Sequence, residues 1–287
     1  ACLVGSEMCI RDRENPTTAF KVEGVKIKVP ELAAYNAATG LRLRNELPIT
    51  YPYVLSFPIV MKILTASDSP VNAVGLVHLT NRIEQTRDLT VDDVLDIRVH
   101  AENLRPHTKG VLLDVVTVVS VEGEDVWKQT SGFLSKGAKL SSSSPYKDKQ
   151  PTDGRILEPV AFDEYDATPT AKYRVTPADI QEYAQASGDK NPIHVSGIGA
   201  KAFGFPAVIA HGMWSAATML RGLEGVLPSA ARFSVEFAKP VTLPATVAFF
   251  AEAAGDKAYP RPSEWDLQLR KASNLKTLHA VGKVERI

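Results

Sequence analysis

Cysteine is scarce in this chain. The two cysteines among its 287 residues, Cys2 and Cys9, both lie in the first ten positions, so they cannot cross-link the rest of the chain. We therefore expect neither a disulfide framework nor a cysteine-based metal site, and the pattern is typical of a reducing, cytoplasmic environment. Residues 1–13 also lack a starting methionine and a hydrophobic period, and we predict that they form a non-native or disordered start.

The chain also lacks a charge excess and a long apolar run. Its 33 Lys and Arg residues balance 33 Asp and Glu residues, so no overall field attracts nucleic acid or an anionic membrane. The most apolar segment, residues 206–220, is shorter than the roughly 20 residues that span a bilayer and contains His211. We therefore expect no nucleic-acid partner and no membrane span.

Three common functional motifs are missing as well. The sequence contains no Gly-x-Gly-x-x-Gly loop and no phosphate-binding loop, so we expect no nucleotide cofactor. Ser187 and Ser215 do not lie in a Gly-x-Ser-x-Gly elbow, which argues against a serine nucleophile. His194 and His211 are 17 residues apart without a cysteine pair, so a metal site is not expected either.

The pattern of apolar residues that is present predicts an α+β chain. Residues 31–41 and the segment from Phe57 onward predict helices, with Pro58 in the first turn of the second. Alternating residues then predict four strands, at 78–87, 94–104, 111–121 and 126–134. A sheet that follows a buried helix is an α+β module.

A polar segment separates this module from a second one. Residues 138–156 are rich in Ser, Lys and Pro and predict a linker that buries nothing. Beyond it, Thr176 and Gly188 are expected to begin and end a helix, and residues 207–220 predict a long apolar helix. Strands are then predicted at 173–175, 232–238, 246–252, 265–271 and 278–284.

The two modules, residues 14–137 and residues 157–287, are predicted to be an internal repeat. Six residues of the first match six residues of the second at a constant spacing of 152: Glu84, Arg87, Leu89, Thr90, Leu95 and Ile97 with Glu236, Lys239, Val241, Thr242, Val247 and Phe249. Only the second module carries an Asp-x-Asn-Pro-x-His segment. Phe57 and Pro58 are expected at the positions that His211 and Gly212 occupy in the second module.

Asp189 and His194 are the leading candidates for catalysis. A carboxylate and an imidazole held together can grip one water, or remove one proton while returning another. Asn191 and Pro192 favour a turn between them, and the Asn191 side chain can bind backbone or substrate. Taken alone, Asp189 has the alternative of a helix cap, and His194 that of a buried structural histidine.

Gly212 is expected at the start of the long helix, where backbone N–H groups are unpaired and the helix dipole is positive. Without a side chain, it would let a substrate carbonyl approach closely, so that its N–H could stabilise negative charge on the oxygen. His211 and Met213 are candidate substrate contacts beside it. The alternatives are that His211 bonds backbone at the helix start and that Tyr183, Met213 and Trp214 belong to the core.

These motifs resemble a known family. The Asp189–His194 segment, followed by the small and apolar residues 202–206 and by Ala-His-Gly-Met at 210–213, resembles the hallmark of the MaoC-like family of (R)-specific enoyl hydratases and dehydratases. Residues 237–241 resemble the strand that follows the family's central helix. The two-module layout is similar to the double-hotdog (3R)-hydroxyacyl-thioester dehydratases of actinobacteria.

The resemblance implies a double hotdog, in which each module wraps an antiparallel sheet around a helix and the two modules form a pseudo-dimer. It implies a cofactor-free hydro-lyase that reversibly hydrates a trans-2-enoyl thioester, of CoA or acyl-carrier protein, to the (3R)-3-hydroxyacyl thioester in fatty-acid metabolism. In that reading Asp189 and His194 activate water and transfer protons, the Gly212 N–H polarises the thioester carbonyl, and Asn191 supports the geometry.

Two positions depart from the family pattern. Ser196 replaces an acidic residue that many relatives have, and Ala217 replaces a serine that some have, which leaves the details of the substrate open. Two other functions also stay open, a hotdog acyl-thioesterase and a non-catalytic acyl-thioester-binding subunit. A homodimer beyond the pseudo-dimer is a further open alternative.

Overall fold

The computed structural model describes residues 15–158, 168–254 and 262–287. The strands of the first half are β1 Ala19–Lys26, β2 Leu76–Gln85, β3 Val94–His107, β4 Gly110–Val121 and β5 Glu124–Lys136. Those of the second half are β6 Ala171–Val175, β7 Ala231–Phe237, β8 Ala245–Ala254, β9 Glu264–Lys271 and β10 Asn274–Arg286. The prediction for residues 1–13 lies outside the described residues.

The ten strands form one antiparallel sheet in the order β1-β3-β4-β5-β2-β7-β10-β9-β8-β6. Each half therefore contributes five strands in the same order, counted outward from the central β2–β7 pair. In that pair Arg82 lies opposite Ser234, and these residues are separated by the 152 positions of the sequence repeat. A two-fold axis between equivalent modules would map this pair onto itself, so the halves are related by a pseudo-two-fold axis at Arg82 and Ser234.

Helices pack against one face of this sheet. The first half contains α1 Val29–Thr39 and α2 Tyr51–Leu64, and the second contains α3 Pro177–Ser187, α4 Pro192–Val195, α5 Gly197–Ala202, α6 Gly212–Leu220 and a 3₁₀ turn Arg221–Leu223. The buried residues of α2 and α6 join the inward strand residues in one hydrophobic core that extends through both halves. Among the described helices, none is long and apolar enough to cross a membrane.

Helices α1 and α3 are equivalent residue by residue. Both end at a glycine with left-handed backbone, Gly40 (φ 72°) and Gly188 (φ 76°), a conformation that glycine adopts without steric cost. Their buried faces match at a spacing of 148, with Leu32, Tyr35, Asn36 and Thr39 in α1 and Ile180, Tyr183, Ala184 and Ser187 in α3. The duplicated α+β, double-hotdog architecture expected from the sequence is therefore confirmed.

Two helix boundaries differ from the prediction. Helix α2 begins at Tyr51 rather than Phe57, and Pro58 lies inside it. Pro52, the second residue of α2, takes the first-turn place that was assigned to Pro58. Helix α6 begins at Gly212 rather than at residue 207, because the preceding residues pair with a neighbouring segment as an isolated β-bridge between Ile209 and Thr242.

The equivalent bridge of the first half joins Glu46 to Thr90, 152 positions before Thr242. Pro48 and Ile49 therefore occupy the positions that correspond to His211 and Gly212. The prediction that Phe57 and Pro58 occupy them is wrong.

The prediction that the linker buries nothing is wrong. Ala138 and Ser144 are buried, and Leu140 and Tyr146 pack against the core. These single anchors are separated by polar residues, so they give no periodic signal.

Candidate active site

Asp189 lies directly after the glycine that ends α3. Its carboxylate accepts a hydrogen bond from the Asn191 N–H (3.2 Å). The Asn191 side-chain oxygen accepts one from the Ile193 N–H (3.3 Å) and caps α4. Bonds of this kind close tight turns, so the chain turns back between Asp189 and His194. The structure thus gives Asn191 a capping contact.

His194 is held by the segment that precedes α6. Its Nδ1 lies 2.8 Å from the Ile209 carbonyl oxygen, and the Ile209 N–H donates to the Ile193 carbonyl (3.2 Å). A carbonyl oxygen only accepts, so Nδ1 carries the proton and Nε2 of the neutral ring is an acceptor. The motif halves at Asp189–His194 and at residues 209–213 are thereby joined into one site.

His211 contacts both Asp189 and the His194 ring. It is almost fully buried, and its Nε2 donates to the Asp189 backbone carbonyl (2.9 Å). Its ring stacks on that of His194, with centroids 3.7 Å apart and an interplanar angle of 30°. The structure therefore places His211 in contact with both Asp189 and His194. Met213, the second residue of α6, is also buried.

Burial changes the pKa of all three side chains in the direction that favours the neutral form. It raises the pKa of Asp189, an effect that His194 partly opposes. It lowers the pKa of His194, and burial together with the neighbouring His194 holds the pKa of His211 well below its usual range. A carboxyl and an imidazole whose pKa values are shifted toward each other in this way can exchange a proton readily.

Gly212 is the first residue of α6, as the sequence predicted. The N–H groups of a first helical turn have no partner within the helix and lie at the positive end of its dipole. A Cβ atom at Gly212 would lie 3.2–3.3 Å from three ring atoms of Phe237. Glycine is therefore the residue that leaves the least bulk beside this N–H.

The geometry at Asp189, His194 and His211 does not fit a metal site, although their potential ligand atoms all lie within 4.8 Å of one another. An imidazole nitrogen binds a metal in the plane of its ring. The two rings are stacked, so their lone pairs run side by side rather than converge on one tetrahedral centre. The His194 Nδ1 is in addition occupied by the Ile209 carbonyl.

The first half supplies residues that the sequence did not reveal as site candidates. The negative charge of Asp189 contributes to raising the pKa of Tyr53, after burial, so the α2 phenol lies within electrostatic reach of the carboxylate. Tyr53 stacks on His78 (6.2 Å), and His78 contacts Phe237 (5.1 Å), the residue that covers Gly212. These contacts depend on the fold, and no local pattern in the sequence indicates them.

Comparison with known proteins agrees with this fold. The family model "MaoC like domain" matches residues 163–270. A 3-hydroxyacyl-thioester dehydratase X from Mycobacterium tuberculosis is 44% identical over 260 residues, which cover 91% of this chain and 86% of the relative. The chain belongs to the MaoC-like dehydratase family.

Solved structures extend the comparison. The crystal structure of HtdX from Mycobacterium tuberculosis matches 94% of this chain and 100% of its own, with 40% identity and a TM-score of 0.78. An acyl-ACP thioesterase from Bacteroides thetaiotaomicron shares the fold alone, at 12% identity and a TM-score of 0.55 over 93% of this chain and 96% of its own. The fold is therefore common to two reactions, and the side chains of the site must decide between them.

Proposed function

We propose that this chain reversibly hydrates a trans-2-enoyl thioester to the (3R)-3-hydroxyacyl thioester, with Asp189 and His194 as the proton-transfer pair and Gly212 as the carbonyl-binding group. The observation that carries the proposal is the bond from His194 Nδ1 to the Ile209 carbonyl (2.8 Å). It leaves Nε2 as a base beside a carboxyl whose pKa is raised by burial. The similarity to a 3-hydroxyacyl-thioester dehydratase supports it.

In the hydration direction, His194 Nε2 removes a proton from a water molecule while the water oxygen bonds to C3 of the enoyl group. The C2 carbon takes a proton from the Asp189 carboxyl, and the thioester C–S bond is not broken. His194 then returns a proton to Asp189, so the net change is the addition of one water. A positioned acid or base contributes about 10²–10⁴-fold in rate.

Negative charge develops on the thioester oxygen as C3 is attacked. The Gly212 N–H at the start of α6 is suited to receive that oxygen, because the helix dipole favours negative charge at this end. A group fixed in advance by the helix needs no reorganisation during the reaction. This role also accounts for a glycine, which has no side chain, at this position.

The test uses purified wild type with a short enoyl-CoA, following the loss of the conjugated enoyl absorbance. Asp189→Asn and His194→Ala should each lower kcat by about 10²–10⁴-fold while the melting temperature stays close to wild type. Near wild-type rates in both variants would contradict the assignment.

Release of free thiol, measured in the same reaction, separates the alternatives. Hydration leaves the thioester intact, whereas a thioesterase releases CoA. Thiol release that is lost in Asp189→Asn would favour the thioesterase. Binding of the enoyl-CoA without either reaction would favour the non-catalytic subunit.

We also propose that the modules at residues 14–137 and 157–287, joined by residues 138–156, act as a pseudo-dimer with one active site. The β2–β7 pairing and the electrostatic effect of Asp189 on the Tyr53 phenol support this division of roles. An acyl thioester of CoA or acyl-carrier protein is the proposed substrate. The cytoplasmic location and a homodimer stay predictions.

A further inference from the structure

The candidate site contains a buried side chain to which the proposed reaction assigns no step. His211 directly precedes Gly212 and is the N-cap residue of α6, with extended backbone (φ −65°, ψ 144°). N-cap side chains usually bond the first N–H groups of their own helix, but the His211 ring makes no such bond. The residue is 2% exposed, so almost none of it is accessible to a substrate.

The first contact of His211 holds the main chain of Asp189. Its Nε2 lies 2.9 Å from the Asp189 carbonyl oxygen, and because a carbonyl oxygen only accepts, Nε2 carries the ring proton. The same nitrogen is 3.9 Å from the Asp189 carboxylate Oδ2, too far for a second hydrogen bond. His211 thus fixes the backbone from which the Asp189 carboxyl projects and forms no hydrogen bond with Oδ2.

The second contact fixes the plane of the His194 ring. One hydrogen bond holds this ring, from Nδ1 to the Ile209 carbonyl, and a ring held at a single atom can still tilt about that bond. The His211 ring stacks on it, with centroids 3.7 Å apart and an interplanar angle of 30°. The lone pair of Nε2 lies in the ring plane, so the stack sets the direction from which His194 can take a proton.

Tyr183 of α3 supports His211 in turn. Its ring centroid lies 4.9 Å from that of His211 at an angle of 53°, and Tyr183 is itself buried, which limits movement of the His211 ring toward α3. Burial, with the positive charge that His194 gains on protonation, holds the pKa of His211 well below its usual range. His211 therefore stays neutral and adds no second positive charge when His194 takes a proton.

The first half shows that the scaffold does not require this ring. Pro48 occupies the position that corresponds to His211. The bridged segment before it still forms, since the Leu47 N–H donates to the Leu89 carbonyl (2.7 Å), just as the N–H before His211 donates to the Val241 carbonyl (2.9 Å). A histidine is therefore not needed for the segment to take its place beside the sheet.

The first half also lacks the acid–imidazole pair. Six positions separate Gly40 from Glu46, whereas 21 separate Gly188 from Ile209, so the first half is shorter by 15 residues. The missing length includes the equivalent of His194. The half without the pair is thus also the half without the ring, as expected if the ring serves the pair rather than the fold.

We propose that His211 is a positioning residue for the reaction. It fixes the main chain of Asp189 by a hydrogen bond and the ring plane of His194 by stacking, and it acts on the substrate only through these two residues. This role rests on the proposed function. It takes the place of the substrate contact that the sequence suggested for His211.

Three substitutions separate the two contacts. His211→Phe keeps a ring against His194 and loses the N–H donor, His211→Gln keeps a donor near the place of Nε2 and loses the ring, and His211→Ala loses both. Each should lower kcat for hydration of a short enoyl-CoA, with His211→Ala lowest at about 10–100-fold, since a misplaced group can cost about 10²-fold. KM should stay within about two-fold of wild type, because no substrate contact is removed.

His107→Gln is the matched control. His107 is also buried, and its Nε2 donates to a backbone carbonyl, that of Asp153 (3.0 Å), but it is the last residue of β3 and lies outside the site. This variant should lower the melting temperature and leave kcat unchanged. A fall in kcat as large as that of His211→Gln would reduce the role of His211 to general packing and overturn the proposal.

Nuclear magnetic resonance of the histidine rings gives a readout that does not depend on turnover. An aromatic ring stacked on His194 shifts its ring protons upfield, and these signals are assigned by their absence in His194→Ala. They should move downfield in His211→Gln and His211→Ala and stay near the wild-type position in His211→Phe. Unchanged positions in all three His211 variants would overturn the proposal.

The kinetic outcomes are equally distinct. Wild-type kcat in a folded His211→Ala would overturn the proposal, and so would a raised KM with kcat retained, which marks a direct substrate contact. If His211→Ala does not fold, wild-type kcat in both His211→Phe and His211→Gln would overturn it. Failure of the proposed function itself would be seen separately, as no hydration by wild type or as near wild-type rates in Asp189→Asn and His194→Ala.

Discussion

The two halves of this chain share a scaffold and differ at one loop. Each places a helix ended by a left-handed glycine, a short bridged segment and a central helix at equivalent positions. Between the glycine and the bridge, the second half carries Asp189 and His194, and the first half is 15 residues shorter. The first half thus keeps the helices and strands of the repeat but lacks the segment that carries Asp189 and His194.

The comparison also shows that the first half is not a passive copy. Trp214 of α6 donates to the Ala38 carbonyl (3.1 Å), and Trp127 of β5 donates to the Ile49 carbonyl (2.9 Å). Tyr53 approaches Asp189 from the first half. The first half therefore supports α6 and places Tyr53 within electrostatic reach of Asp189.

Removing the first half should have the largest effect. A fragment that begins at Gly154 loses the β2 partner of β7, which is paired along six residues, and exposes core that α1 covers. We expect it to be unfolded and inactive, as judged by circular dichroism and enoyl-CoA hydration. A folded fragment with wild-type turnover would show that the first half is dispensable.

Substituting equivalent residues should give opposite results in the two halves. Gly212→Ala should lower kcat/KM by about 10–100-fold, because the added methyl group crowds the N–H that receives the carbonyl. Ile49→Ala, at the counterpart position, should cost about 2–5 kcal/mol of stability with turnover retained, since Ile49 is a buried core residue.

A double variant sharpens the Gly212 result. The new methyl group also presses on Phe237, so Phe237→Leu would relieve that contact. If Gly212→Ala with Phe237→Leu recovers wild-type turnover, crowding of Phe237 is the cause, and the role in carbonyl binding is contradicted.

Tyr53→Phe tests the contribution of the first half to the site. Its hydroxyl forms no hydrogen bond with the described residues, so its loss should leave the melting temperature unchanged and lower kcat by about 3–10-fold. Tyr35→Phe is the matched control. The Tyr35 hydroxyl bonds to Thr50 (2.8 Å), so its loss should cost about 1 kcal/mol of stability and leave kcat unaltered. The reverse outcome would exclude Tyr53 from the site.

The smallest effect should be a change in pH dependence at His78. Burial lowers its pKa from 6.5 to about 4, so between these values the unfolded chain holds a proton that the folded chain does not. Stability therefore falls as the pH drops through this window, by up to about 1.4 kcal/mol per pH unit.

His78→Phe should reduce the loss of stability between pH 7 and pH 5 by about 1–2 kcal/mol. Part of the ring remains exposed, so we expect the lower end of this range. His194 and His211 still contribute to the pH dependence of stability in the variant, because burial also lowers their pKa values. Urea unfolding at both pH values measures the difference, and parallel losses in the variant and wild type would contradict it.

Local signals made much of this structure predictable. Thr176 begins α3 as expected, in a capping box with Asp179, and Gly188 ends the helix as its position indicated. The strands alternated clearly, and the spacing of 152 indicated the duplication that the strand order shows. Such features depend on neighbouring residues, or on the comparison of two similar segments.

The parts that sequence did not reveal depend on distant contacts. The junction of β2 with β7 pairs residues about 150 positions apart, and no periodicity reports which strand edges meet. Pro58 suggested a helix start, but Pro52 begins the first turn and the chain tolerates Pro58 inside α2. Tyr53 could not be predicted as a site residue either, because its position relative to Asp189 depends on the packing of the two halves.

The central pair of Arg82 and Ser234 has a consequence for how such a chain evolves. In a dimer of identical subunits, a residue on the symmetry axis meets its own copy, so an arginine there would face a second arginine. Here the Arg82 Nε donates to the Ser234 hydroxyl (3.3 Å), a pairing that identical subunits cannot make. When both copies lie in one chain, equivalent positions can differ, so a segment such as the one with Asp189 and His194 can be present in one half and absent from the other.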